Sequence, residues 1–172
     1  MNPRAALLTA LAVLLPGSVA GVQAANTEPA IAVVIASGKV RQLGVAELAL
    51  IYRRKKLFWN EGVRVAPINL QANDPLRQLF SQRVLHTSPE EMERYWNGMY
   101  FNGISPPHVV ASAEAVLRIV AQTPGAVGYV AYCDVDPRVQ VALVLTSAGP
   151  VSPDIAKRDL SCPKKPAPAS GD

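Results

Sequence analysis

The sequence predicts an α/β fold, a mixed sheet flanked by helices, and three observations carry that prediction. Residues 31–36 are an unbroken aliphatic run closed by Ser37 and Gly38, which reads as a strand buried on both faces. Three helix starts follow, each marked by capping residues: Asp74-Pro75, Ser88-Pro89 and Ser112. The chain then returns to strand-like runs at 128–132 and 139–145. Strands on both sides of a helical stretch specify a sheet with helices packed against it.

Before the first strand, Arg4 is the only charged side chain ahead of Glu28, and it precedes an apolar run from Ala5 to Leu15. Small residues ending at Val22-Gln23-Ala24 complete the order of a secretory signal, so residues 1–24 are expected to be cleaved and the remainder to work in the periplasm. An apolar core of about a dozen residues is short of the roughly 20 that span a bilayer. No later run is longer, so no membrane span is expected after cleavage. The 172-residue chain then leaves one domain, placed at 27–149, and a Pro-rich tail at 150–172 that is too poor in apolar residues to fold alone.

Within the domain, residues 44–52 place Leu48, Ile51 and Tyr52 on one helical face, with Leu43 ahead of the cap as a staple. Val63 to Ile68 alternates as a second strand after the turn Asn60-Glu61-Gly62. Asp74 and Pro75 open a helix with Leu76, Leu79, Phe80 and Val84 as its apolar stripe. Ser88 and Glu91 form a capping box for the next, with Met92, Tyr95, Trp96 and Met99 facing inward as core. Ser112 caps a helix carrying Val116, Leu117 and Val120 that stops at Thr123-Pro124-Gly125. The turn residues Asp134, Asp136 and Pro137 suggest that the last two strands pair as a hairpin or lie side by side.

Composition narrows the function classes. A net charge of +4 and a pI near 9.3 permit attraction to anions. Lys and Arg do not gather on one identified face, which argues against nucleic acid. Cys133 and Cys162 are an even pair that an oxidising compartment would let form a disulfide. Closing a loop of about 30 residues would contribute about 3.5 kcal/mol and hold the tail; the other reading is two independent thiols. His86 and His108 stand at no ligand spacing, so no metal is expected. No G-x-S-x-G, G-x-G-x-x-G or P-loop occurs, so neither an enzyme nor a cofactor is expected.

Several residues together resemble a known pattern: Leu43, Glu47, Leu48, Ile51 and Tyr52; Trp59-Asn60-Glu61-Gly62; Pro67-Ile68; and Arg77 with Phe80. Tyr95-Trp96, Phe101 and Gly103 extend it, and the run Thr123-Pro124-Gly125-Ala126-Val127-Gly128-Tyr129 is its most specific piece. The pattern resembles the phosphate-type substrate-binding proteins of ABC transporters, over residues 31–145 and over one lobe region of that two-lobed class. The resemblance implies a solute-binding module for a phosphate-like oxyanion, partnered by a membrane transporter or sensor protein. Full-length members carry a Ser-Gly-Thr turn a few residues before the Phe matched by Phe80, where this chain has Asp74, Pro75 and Leu76.

In such sheets ligands gather beyond the carboxyl ends of strands, which directs attention to residues 37–39 and 69–77. Four candidate ligand residues follow: Ser37 and Gly38 after the first strand, and Asn73 and Arg77 at the helix start. Arg77 could hold an oxyanion bidentately or pair with a neighbouring carboxylate such as Asp74. The run Arg53-Arg54-Lys55-Lys56 reads as a solvated face or as a docking patch for an acidic partner or anionic lipid headgroups. The alternative to a solute-binding module is a ligand-free protein-interaction domain on the same fold.

Overall fold

In the computed structural model of the protein, residues 28–38 and 42–163 are described; the expected signal segment lies outside them. Six strands form one mixed sheet in the order β3-β2-β4-β1-β5-β6. These are β1 (Ile31–Ala36), β2 (Ala66–Leu70), β3 (His108–Val110), β4 (Ala126–Ala131), β5 (Val139–Thr146) and β6 (Gly149–Val151). The helices are α1 (Val45–Tyr52), α2 (Pro75–Phe80), α3 (Pro89–Tyr100), α4 (Ala113–Gln122) and α5 (Pro153–Asp159).

The all-aliphatic β1 takes the centre and pairs antiparallel with both β4 and β5. β2 runs parallel to β3 and to β4, which makes the sheet mixed. The last two long strands, expected as a hairpin or as neighbours, are neither, since β1 separates β4 from β5. β1 lies between β4 and β5, because the strand with no polar face is best placed where helices cover both sides.

Alternation along β4 assigns the two faces. Gly128 meets α4: a Cβ there would sit 2.5 Å from Val116 Cγ1 and 3.1 Å from Val120 Cγ2. The next residue, Tyr129, points the other way and stacks on Phe80 of α2. Gly125, at φ +80°, opens the same strand where a side chain would strike the Arg64 carbonyl. Gly125 and Gly128 thus let the Pro-Gly-Ala-Val-Gly-Tyr run lie close under its neighbours and present Tyr129 on the α1 and α2 side.

The caps form as read. Asp74 Oδ1 accepts from Leu76 N at 2.8 Å and Arg77 N at 3.3 Å. Ser88 and Glu91 close a capping box, and Ser112 Oγ accepts from Ala115 N. α2 does not run on as a regular helix: Ser81–Leu85 widen into a π-helical segment that buries Ser81, Val84 and Leu85. The tail reading also needs correcting for its described part, since β6 adds an edge strand to β5 and Ser152 with Pro153 starts α5. Local cap chemistry and the disulfide between Cys133 and Cys162, with Cα atoms 5.3 Å apart, hold this segment, where apolar content alone did not predict order.

Candidate functional site

Beneath the carboxyl end of β2 lies an aromatic floor. Phe80 and Tyr129 stack with ring centroids 3.9 Å apart and planes 3° from parallel. Tyr52 of α1 leans against both. Its hydroxyl donates to the Ile68 carbonyl at 2.9 Å, fixing α1 to β2. Burial pushes the Tyr52 hydroxyl well above its ordinary pKa, and the neighbouring Tyr129 pushes it the same way. Tyr129 is pushed up to about 12, mainly by burial, while the positive charge of Arg77 pulls partly back. Both phenols are therefore neutral donors at physiological pH.

Tyr129 donates its proton to Asn69 Oδ1 at 2.9 Å and accepts from Leu70 N at 3.4 Å. Asn69 is 3% exposed, a polar residue set in an otherwise apolar strand end. Next to this network Arg77 is only 7% exposed, yet its Nε and Nη1 have no hydrogen-bond partner. The ion pairs of the described residues join Lys56 to Glu47, Arg83 to Glu28, Arg94 to Glu91, and Arg138 to Glu114 and Asp136. Arg77 is in none of them, and Asp74 is engaged as the cap of α2. A buried guanidinium with idle donors is costly unless something supplies the acceptors.

Arg77 lines a cleft of about 300 Å³ together with Asn69, Glu93, Trp96, Pro106 and Val109. The cleft sits where β2 ends and α2 begins, with α3 and the segment leading into β3 as its other walls. Trp96, read from the sequence as core, is half-buried and does both, packing on the core and forming part of the wall. The chemistry the cleft offers is recognition: one buried cation, side-chain amides, an exposed carboxylate at Glu93 and apolar surface. Ser88 and Ser112 are spent as caps.

The four candidate ligand residues do not converge. Ile35 pairs with Val127 in β4, and Ala66 with Ala126, so the end of β1 lies beside the beginning of β2. Ser37 and Gly38 are thus at the opposite end of the sheet from Arg77, and Ser37 Oγ donates to the Arg138 carbonyl at 2.9 Å. Antiparallel pairing of β1 puts them there, and single-strand periodicity carries no sign of strand direction. Asn73 is exposed in the turn before α2 and is not among the cleft residues; Asn69 takes the buried place instead. The missed signal was a lone Asn between Ile68 and Leu70.

The basic run is largely committed to the fold. Arg53 Nη2 donates to the Leu85 carbonyl at 2.7 Å, Arg54 Nη1 to the Val65 carbonyl at 3.3 Å, and Lys56 Nζ to Glu47 at 2.6 Å. Lys55 is the one of the four that is exposed. No helix of the described residues is long and apolar enough to cross a membrane.

No family model matches the sequence, and no curated protein does. Solved structures share the fold. A protein from Clostridium perfringens, assigned as a phosphate ABC transporter substrate-binding protein and solved with bound phosphate, matches at a TM-score of 0.54 and 17% identity. The match covers 67% of this chain and 45% of that one. An ABC-type phosphate transport receptor from Vibrio cholerae matches at 0.52 and 19% identity, over 67% of this chain and 46% of its own. The chain spans less than half the length of these proteins and has the fold of part of a phosphate ABC transporter substrate-binding protein.

Proposed function

We propose that the domain is a solute-binding module of the periplasm that captures a small anion in the Arg77 cleft and presents it to a membrane transporter or sensor protein. One observation carries this reading: a guanidinium only 7% exposed lines the wall of a cleft with no ion pair among the described residues, and its Nε and Nη1 are unpartnered behind that wall. An oxyanion or carboxylate bound there would supply the opposite charge that this guanidinium lacks. The proteins that share the fold are named for substrate binding and transport, and the disulfide suits an exported chain. The site would differ from one built on helix amides, since Asp74 already occupies the amides that open α2.

A thermal-shift series with phosphate, sulfate and small carboxylates tests the reading. A ligand at a hundredfold excess over its dissociation constant should stabilise the protein by about 2.7 kcal/mol. A second reading, a ligand-free protein-interaction domain, is favoured by Tyr100 and Phe101, which stand 72% and 88% exposed at the end of α3. That reading gains if no anion shifts the unfolding temperature.

A further inference from the structure

The cleft has more space and more apolar surface than an inorganic oxyanion uses. Its volume of about 300 Å³ is that of a pocket for a small organic molecule, more than a tetrahedral oxyanion fills. Beyond the guanidinium the walls are the half-buried indole of Trp96, the ring pair Pro106 and Pro107, and Val109. Such surface gains nothing against a hydrated phosphate but is matched by a hydrocarbon body.

Charge points the same way. Glu93 lines the cleft from α3 and is exposed. A negative charge in the lining opposes entry of a divalent anion and favours a ligand that carries a cation beside its carboxylate. Asn69 and Tyr129 hold one another and Tyr129 also bonds Arg77, which leaves Arg77 as the cation at the inner end with no ion pair among the described residues.

Resting on the reading of this cleft as the ligand site, we infer that its ligand is a zwitterionic amino acid with an apolar side chain. Its carboxylate lies on Arg77, its ammonium faces Glu93, and its side chain rests on Trp96 and the prolines.

Calorimetric titration of the purified protein tests this with phenylalanine, leucine, hydrocinnamate (no ammonium), phenethylamine (no carboxylate), inorganic phosphate and sulfate. Phenylalanine or leucine should bind. Hydrocinnamate should bind more weakly by about three- to fivefold, the worth of an exposed ion pair, and phenethylamine not at all. Glu93→Gln should remove the preference for phenylalanine over hydrocinnamate, and Arg77→Met, confirmed as folded by its own unfolding curve, should bind neither. Binding of phosphate or sulfate without either amino acid overturns this inference and leaves the anion reading standing. Absence of binding by every anion overturns both.

Discussion

The Tyr129 hydroxyl donates to Asn69 Oδ1 at 2.9 Å, joining β4 to the end of β2 directly beneath the cleft. Tyr129 is carried there by the glycine-bearing start of β4, and its ring is backed by Phe80 from the helix that also supplies Arg77. The hydrogen bond ties the two strands together, and the Phe80–Tyr129 stack ties them to the helix that carries Arg77.

That unit should fail in alkali. A phenol held at about 12 in the fold and at 10.0 otherwise contributes stability that is complete below pH 10 and is lost as pH rises toward 12. The loss from Tyr129 amounts to about 3 kcal/mol, and Tyr52 adds in the same direction. Tyr129→Phe should flatten this alkaline limb, and at neutral pH it should cost about 1–3 kcal/mol because Asn69 Oδ1 loses its donor. Urea unfolding curves at several pH values measure both effects.

The two glycines of β4 should be intolerant for different reasons. Gly125→Ala meets the Arg64 carbonyl at a positive φ, and strain of that kind costs about 1–3 kcal/mol. Gly128→Ala drives a methyl against Val116 and Val120, an overpacking worth about 1–3 kcal/mol that slight movement of α4 can relieve. Both should lower the urea midpoint, and only Gly125→Ala should resist rescue by Val116→Ala.

Arg77→Met should leave ligand-free stability unchanged or raise it by about 1–2 kcal/mol, since an apolar side chain replaces a buried cation with two unmade bonds. A loss above about 3 kcal/mol in the melting free energy would mark Arg77 as a structural residue instead.

The disulfide holds the segment after β6. Replacing Cys133 and Cys162 together by Ser should cost about 3.5 kcal/mol in the chain-entropy account of a 29-residue separation. Amide exchange in α5 should accelerate before exchange in β5, because Ala156 is the one buried residue by which α5 is anchored.

Much of this was legible in the sequence because it depends on local chemistry. β1 has the bounds its aliphatic run implied, and Asp74, Ser88 and Ser112 cap the helices they precede. Arg77 stood out as a cation at a helix start. Its lack of an ion pair did not, since that depends on Asp74 turning its carboxylate to the backbone. Strand direction was equally hidden, which put Ser37 and Gly38 in the wrong half of the sheet for Arg77. The basic run looked solvated because its acceptors, the Leu85 and Val65 carbonyls, come from distant turns.

The central claim is that Arg77 is the anion receptor of a binding module, and side-by-side calorimetric titration of the wild-type protein and Arg77→Met tests it most directly. The account predicts saturable heat with at least one anionic ligand in the wild type and none in the folded variant. Equal binding by the two proteins would contradict it.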